Sequence, residues 1–169
     1  MNNKPFLIVV SGFSGTGKTT ISNSLSSKIP SVLLSVDEIE KKLRFNTIME
    51  AEKLKYPCTL KIANNLLKDK TNVILDGNFR FFKTRKKIID AYHRLGFHYF
   101  LIHCDCPEYK AEKRIQLRHK LHPGYYKKTA SYRYSRELFD PIKEHPFLKL
   151  NTDKPIENSV QEIIQYIQN

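Results

Sequence analysis

The sequence has few cysteines and only short apolar runs, and both facts exclude several classes of protein. Its three cysteines cannot form a disulfide framework, and Cys104 and Cys106 lack the further ligands that a structural zinc site requires. The apolar run Phe6–Val10 spans five residues, whereas a membrane-spanning helix needs about 20. No segment is repeated or low in complexity. We therefore expect residues 1–169 to form one cytoplasmic domain with its own core.

Acidic residues are also in short supply. The chain has 17 Asp and Glu against 29 Lys and Arg, which gives a formal net charge of +12. Hydrophobic residues make up 40% of the chain, a share that excludes a disordered protein. The excess positive charge indicates an anionic partner, which a nucleoside triphosphate or a nucleic acid would satisfy equally.

Short apolar runs alternate with helical patterns along the chain. The runs predict five buried strands: Phe6–Val10, Val32–Val36, Val73–Asp76, Phe97–Cys104 and Phe147–Leu150. The segments between them predict helices, and Pro57 is expected to interrupt the one over residues 48–68. This alternation predicts an α/β fold, a parallel sheet with helices on both faces. Ligands of such sheets bind at the carboxyl ends of the strands.

Residues 12–19 match the Walker A pattern G-x-x-x-x-G-K-[ST], between a predicted strand and a predicted helix. Glycines let the backbone curl so that successive N–H groups point at phosphate, and the helix adds its positive N-terminal end. We expect Lys18 to contact the β- and γ-phosphates and Thr19 to bind Mg²⁺. The predicted nucleotide-binding residues are Gly12, Ser14, Gly15, Thr16, Gly17, Lys18, Thr19 and Thr20.

Two aspartates follow apolar runs that are expected to end beside this loop. Asp76 is placed to hold Mg²⁺, usually through its water, although an aspartate there can also open a turn with Gly77. Asp37 ends the second predicted strand, where a carboxylate can orient an acceptor hydroxyl and take its proton. The alternative is that Asp37 only caps the next helix, a role for which Ser35 with Glu38 competes.

The order of these motifs resembles that of a known group of enzymes. The loop 12–19, Asp37 in Ser-Val-Asp-Glu-Ile, Asp76 in Leu-Asp-Gly-Asn, and the pair Arg114 and Arg118 occur in sequence. Nearly the whole chain thereby resembles the small P-loop kinases related to adenylate and gluconate kinases. The similarity is greatest to the branch of polynucleotide 5′-hydroxyl kinases, zeta-type toxins and chloramphenicol phosphotransferase.

This resemblance implies a three-layer P-loop fold with five parallel strands, and ATP and Mg²⁺ as cofactors. It implies a lid between the fourth and fifth strands, at about residues 118–134, whose arginines clamp the phosphates. It further implies that Asp37 is the general base and that Asn151–Asp153 border the adenine. The sequence departs from polynucleotide kinases at Glu40, because those enzymes commonly carry a basic residue three positions after the base.

The region of the lid is strongly basic. Between Arg114 and Arg136 there are seven Lys or Arg and no Asp or Glu, interleaved with Tyr125, Tyr126, Tyr132 and Tyr134. A lid would place guanidinium charge on the transferred group, and the spacing of four puts Arg114 and Arg118 on one helix face. Two alternatives remain open, a nucleic-acid surface with tyrosines as stacking platforms and a solvated basic face.

The residues after Asp76 are candidates for binding the acceptor. Asn78 and Arg80 are expected to line its pocket, although Asn78 could instead form the turn. The basic neighbours of Arg80 are expected to lie on the solvated side of a helix: Lys83, Arg85, Lys86 and Lys87.

Three functions follow from these residues. The first is an ATP-dependent kinase that phosphorylates a hydroxyl of a small molecule, nucleoside or nucleotide, with Lys18, Asp37, Arg114 and Arg118 as catalytic residues. The second is a kinase of RNA or DNA 5′-hydroxyl ends, which the +12 charge favours. The third is an ATP-hydrolysing switch or binding module without a specific acceptor.

Overall fold

A computed structural model describes residues 4–43, 48–121, 131–144 and 146–169. In these ranges the strands are β1 (Phe6–Gly12), β2 (Val32–Ser35), β3 (Val73–Asp76), β4 (His98–Asp105) and β5 (Leu148–Asn151). They form one sheet in the order β2-β3-β1-β4-β5, and every neighbouring pair is parallel. The predicted α/β fold with a five-stranded parallel sheet is therefore confirmed.

Helices connect the strands. Their bounds are α1 (Lys18–Ser26), α2 (Val36–Leu43), α3 (Ile48–Lys68), α4 (Phe82–Arg94), α5 (Glu108–Leu121), α6 (Tyr132–Glu137) and α7 (Ile156–Gln168). The expected interruption at Pro57 is wrong, because α3 continues through it. Pro57 is exposed, while Tyr56 and Leu60 beside it pack against the core. This packing offsets a lost hydrogen bond and a ring clash, which together cost about 3 kcal/mol.

The sheet is covered on both faces. Along β1, Leu7 and Val9 belong to one buried cluster and Ile8 and Val10 to the other, as the alternation of side chains along a strand requires. Helices α3 and α4 supply Ala63, Leu67, Ile88 and Tyr92 to the first cluster. Helices α1 and α7 supply Ile21, Leu25, Val160 and Ile163 to the second. Within the described ranges no helix is long and apolar enough to cross a membrane.

The strand register brings the sequence motifs to one edge of the sheet. Val10 lies opposite Asp76 on β3, and Gly12 lies opposite Cys104 on β4. The loop that leaves β1 therefore begins beside the end of β3. Since the strands are parallel, the residues that follow β2 and β5 lie along the same edge.

Candidate active site

The Walker A loop is held so tightly that two of its glycines cannot carry a side chain. A Cβ at Gly12 would lie 2.3 Å from the carbonyl oxygen of Cys104, and one at Gly15 would lie 2.5 Å from that of Ala111. Gly15 also has a φ of +79°, in the left-handed region that favours glycine. The loop is thereby fixed between β4 and α5, and it leads directly into α1 at Lys18.

The ammonium group of Lys18 is half-buried, and among the described residues no carboxylate lies in direct contact with it. Its Nζ donates to the carbonyl oxygen of Phe13 at 2.7 Å. Burial lowers the pKa of Lys18, and the nearby charges of Asp76 and Asp37 only partly oppose this effect. A triphosphate bound in the loop would place a negative counter-charge beside this ammonium group.

Thr19 and Asp76 form the second polar pair of the site. The Thr19 hydroxyl donates to Asp76 Oδ2 at 2.8 Å, and Asp76 is 4% exposed. Burial raises the pKa of Asp76, against the opposing effects of Lys18 and Thr19. The other carboxylate oxygen, Oδ1, is buried without a hydrogen-bond partner among the described residues. A hydroxyl beside a carboxylate with an unpartnered oxygen is a donor set that fits Mg²⁺.

Asp37 is not at the end of a strand, and this part of the prediction is wrong. Strand β2 ends at Ser35, and Asp37 lies exposed in the first turn of α2. The hydroxyl of Ser35 accepts a hydrogen bond from the Glu38 N–H at 3.3 Å, so Ser35 rather than Asp37 satisfies the start of the helix. The boundary differs because Val36, although apolar, is already helical and packs into the core.

A cavity of about 680 Å³ brings most of the predicted residues together. Its lining includes Ser14, Gly15, Gly17, Lys18, Thr19, Thr20, Asp37, Asp76, Asn78, Arg114 and Arg118. Gly12 and Thr16 are buried and do not line it, and the hydroxyl of Thr16 is bonded to the Phe13 carbonyl at 2.8 Å. Arg80 is also outside the lining, with its guanidinium over the Phe81 ring at 4.6 Å.

The two arginines of α5 occupy different surroundings. Arg114 donates to the carbonyl oxygen of Thr152 at 3.0 Å and approaches that of Gly15 at 3.4 Å. Arg118, one turn later, lines the cavity and its charge contributes to the lowered pKa of Lys18. Arg114 therefore joins the Walker A loop to the turn after β5, and Arg118 is the arginine whose charge acts on the Lys18 end of the cavity.

Thr152 is a site residue whose contacts the sequence did not indicate. Its hydroxyl donates to the carbonyl oxygen of Thr16 at 2.6 Å, and its N–H donates to that of Asp105 at 2.9 Å. It is 6% exposed and lines the cavity. The sequence offered one signal for Thr152, its position shortly after a predicted strand, where ligands of a parallel sheet bind.

Arg85 is buried, so its expected place on a solvated helix face is wrong. Its guanidinium donates to Glu144, to the carbonyl oxygens of Phe79 and Arg80, and to those of Asp140 and Pro141. The first turn of α4 faces the segment between α6 and β5, a contact across 55 or more positions that no local pattern reveals. The loop with Asn78 and Arg80 is thereby tied to that segment.

The described part of the basic region consists of the end of α5 and the start of α6. Residues 122–130, with Lys127, Lys128, Tyr125 and Tyr126, lie outside the described residues, and the lid stays a prediction. Tyr132 cannot serve as an exposed stacking platform, because it is 4% exposed and its ring meets that of Phe13 at 5.4 Å. The ring of Tyr134 is exposed.

Comparison with known proteins identifies the family of this chain and solved structures that share its fold. The family model described as an AAA domain matches residues 7–131, which is well over half of the chain. No curated protein matches the sequence. The fold is shared with the APS kinase of Mycobacterium tuberculosis in complex with AMPPNP and APS, at 17% identity and a TM-score of 0.77. That match covers 98% of this chain and 99% of the other.

Two further solved structures have the same fold. A gluconokinase from Sinorhizobium meliloti 1021 is 17% identical, with a TM-score of 0.67 and 98% of both chains covered. A sugar kinase from Janibacter sp. HTCC2649 is 13% identical, with a TM-score of 0.75 and coverage of 97% of this chain and 95% of the other. These kinases and this chain therefore share one fold, and the resemblance to the small P-loop kinases is confirmed at the level of the fold.

Proposed function

The chain belongs to the AAA-domain family of P-loop proteins, and we propose that it transfers the γ-phosphoryl group of ATP to a hydroxyl of a small molecule. One observation carries the proposal. The Thr19–Asp76 pair, the half-buried Lys18 and the exposed carboxylate of Asp37 all line one cavity. A phosphoryl-transfer site needs these parts in one place: a phosphate cradle, a magnesium site and a base for the acceptor.

Each residue has a role that its surroundings support. The loop N–H groups and Lys18 bind the phosphates, and Lys18 exchanges its bond to the Phe13 carbonyl for bonds to phosphate oxygens. Thr19 and Asp76 Oδ1 are the groups that would hold Mg²⁺. Bound Mg²⁺ neutralises charge on the β- and γ-phosphates. Arg118 adds positive charge at the Lys18 end of the cavity, while Arg114 positions the loop.

The transfer itself needs a proton acceptor, and we assign this role to Asp37. The acceptor hydroxyl oxygen forms a bond to the γ-phosphorus, while the bond from that phosphorus to the bridging oxygen breaks and ADP leaves. Asp37 takes the hydroxyl proton, so its carboxylate becomes a carboxylic acid and the acceptor leaves as a phosphate monoester. Asp37 is suited to this because it is exposed and Ser35, not Asp37, accepts the bond at the helix start.

A small acceptor is favoured over a nucleic-acid end by two observations. Glu40, where polynucleotide kinases commonly have a basic residue, forms an ion pair with Lys55 at 3.2 Å, so both charges are already engaged. Solved kinases that share the fold include a gluconokinase, a sugar kinase and an APS kinase in complex with AMPPNP and APS. The excess of positive charge is the observation that keeps nucleic-acid ends in the test as an alternative acceptor.

The test is transfer of label from γ-labelled ATP with Mg²⁺ to a panel of acceptors. The panel contains sugars and other hydroxylated metabolites, nucleosides, nucleoside monophosphates, and RNA and DNA oligomers with 5′-hydroxyl ends. Asp37→Asn is expected to lower transfer at least ~100-fold and to leave ATP binding nearly unchanged, since it removes only the base. Glu38→Gln, which alters an exposed carboxylate next to Asp37, is the matched control.

The outcomes separate the three functions. Label on one small molecule, lost in Asp37→Asn alone, would support the proposal and name the substrate. Label on the oligomers would establish the polynucleotide alternative instead. Release of free phosphate at an equal rate from wild type and Asp37→Asn, with no labelled acceptor, would overturn the role of Asp37 and favour a switch.

A further inference from the structure

Phe13, the second residue of the Walker A loop, is enclosed by aromatic rings from two other parts of the chain. Its ring centroid lies 5.4 Å from that of Tyr132, 5.1 Å from Phe139 and 5.1 Å from His103, each in an edge-to-face geometry. This is the arrangement that aromatic pairs prefer. Burial lowers the pKa of His103 to about 4, so at neutral pH its ring is uncharged and contacts Phe13 as an aromatic.

The backbone of the next residue is held by the same part of the chain. The N–H of Ser14 donates to the hydroxyl oxygen of Ser135, on α6, at 2.9 Å across 121 positions of sequence. Ser14 lines the cavity, whereas Ser135 and Phe13 do not. The Ser14 N–H is therefore bonded to a residue outside the cavity, so Ser135 holds the backbone of the loop from that side.

These contacts fix the group on which Lys18 rests. The carbonyl oxygen of Phe13 accepts hydrogen bonds from Lys18 Nζ at 2.7 Å, from the Thr16 hydroxyl at 2.8 Å and from the Thr16 N–H at 3.4 Å. Because that carbonyl joins Phe13 to Ser14, the ring enclosure and the Ser135 bond hold it from both sides. The resting position of the lysine is thus determined outside the Walker A sequence.

The enclosure is itself anchored in the core by Arg85. The guanidinium of this fully buried residue lies 5.1 Å from the centre of the Phe139 ring and donates to the carbonyl oxygens of Asp140 and Pro141. The N–H of Asp140 in turn donates to the carbonyl oxygen of Arg80 at 2.9 Å. The segment that carries Phe139 is therefore tied to the start of α4 and to the residues just before it.

We propose that Ser135 and the aromatic enclosure of Phe13 are positioning elements that hold the Walker A loop ready for ATP. This rests on the ATP-binding part of the proposed function. A loop whose N–H groups are already oriented loses less conformational freedom when phosphate binds, so its affinity for ATP is higher. Ser135 does not line the cavity, so in this proposal it acts through its hydrogen bond with Ser14.

The experiment is titration calorimetry of ATP with Mg²⁺ against four proteins: wild type, Ser135→Ala, Ser135→Thr and Ser27→Ala. Ser27, whose hydroxyl is bonded to the Ser24 carbonyl on an exposed surface, is the matched serine control. Ser135→Ala is expected to bind ATP about three- to tenfold more weakly, the effect of one lost hydrogen bond. Ser135→Thr keeps the hydroxyl and is expected to restore affinity to within about twofold of wild type.

A second measurement separates positioning from general loss of structure. Amide hydrogen exchange is expected to rise at Ser14 and its neighbours in Ser135→Ala, with the strands of the sheet as protected as in wild type. Phe139→Leu removes one ring of the enclosure and is expected to weaken ATP binding in the same direction, so the proposal does not depend on one variant.

Each failure has a distinct meaning. Equal affinities of wild type, Ser135→Ala and Phe139→Leu would overturn the positioning role and leave the proposed function intact. Weakened binding in Ser135→Ala that Ser135→Thr does not restore would show that the hydroxyl is not the cause. A wild-type protein that does not bind ATP would overturn the proposed function, and the positioning role with it.

Discussion

Replacing Glu144 with glutamine would leave a buried guanidinium without its counter-charge. Arg85 is fully buried, Glu144 is 9% exposed, and Arg85 Nε lies 2.7 Å from Glu144 Oε1. Glutamine keeps one acceptor oxygen but would place an NH₂ group where Glu144 Oε2 now accepts from the Lys143 N–H at 2.8 Å. Two donors would then face each other in a buried space. Removing one partner of a buried ion pair costs about 3–5 kcal/mol.

This cost is large enough to measure by thermal denaturation. For a domain of this size each kcal/mol lowers the Tm by roughly 2–4 °C, so Glu144→Gln is expected to melt about 6–20 °C below wild type. The control is Asp90→Asn, which breaks an ion pair with Lys86 whose side chains are 58% and 48% exposed. Exposed pairs contribute about 1 kcal/mol at most, so this variant is expected to melt within a few degrees of wild type.

The comparison can refute the reasoning in a definite way. If Glu144→Gln and Asp90→Asn shift the Tm equally, burial does not set the strength of the Arg85–Glu144 pair. The four carbonyl oxygens that Arg85 also contacts would then account for its burial without help from Glu144. Calorimetric melts of both variants at one pH and salt concentration provide the test.

Two further predictions concern the site. Burial raises the pKa of Asp76, so the folded state holds this proton more tightly than the unfolded chain, and stability falls as pH rises from the ordinary aspartate value through the raised one. Nucleotide-free Asp76→Asn is therefore expected to melt above wild type at neutral pH but to gain less Tm from ATP and Mg²⁺; a lower Tm would contradict this. Gly15→Ala would put a methyl 2.5 Å from the Ala111 carbonyl oxygen, whereas Gly96→Ala, also at positive φ, meets nothing within 4 Å. In calorimetric titrations Gly15→Ala is expected to lose ATP binding, while Gly96→Ala keeps it and costs about 1–2 kcal/mol of stability; equal binding would contradict the steric account.

The sheet and the Walker A loop were predictable because their signals are local. A strand buried on both faces of a parallel sheet must be apolar along its whole length, so the runs at Phe6–Val10 and Val73–Asp76 located β1 and β3. The loop has a fixed glycine spacing because side chains at positions such as Gly12 would collide with neighbouring backbone. Both signals depend on residues that are adjacent in the sequence.

What the sequence did not predict depends on contacts between distant segments. Helix α6 has six residues and no apolar stripe, and its place is set by Tyr132 against Phe13 and by Ser135 against Ser14. In the sequence Arg85 lies among lysines that prove to be exposed, but its own side chain is buried against Glu144. The predicted second strand, Val32–Val36, runs one residue beyond β2, because an apolar residue that begins a helix cannot be distinguished from one that ends a strand.

Arg85 and Lys18 differ in how fully their positive charge is compensated. The guanidinium of Arg85 has an acceptor for each of its N–H directions, including a carboxylate, and it is therefore a structural charge. Lys18 donates to one backbone carbonyl, and burial lowers its pKa, while Asp76 keeps one carboxylate oxygen unpartnered among the described residues. Because the charges of Lys18 and Asp76 are incompletely compensated, they lower the stability of the free protein. A ligand with the complementary charges would remove this cost. Under the proposed function, ATP with Mg²⁺ would bring anionic oxygens to Lys18 and a cation to Asp76, so the atoms that destabilise the free protein would contribute to its affinity for this ligand.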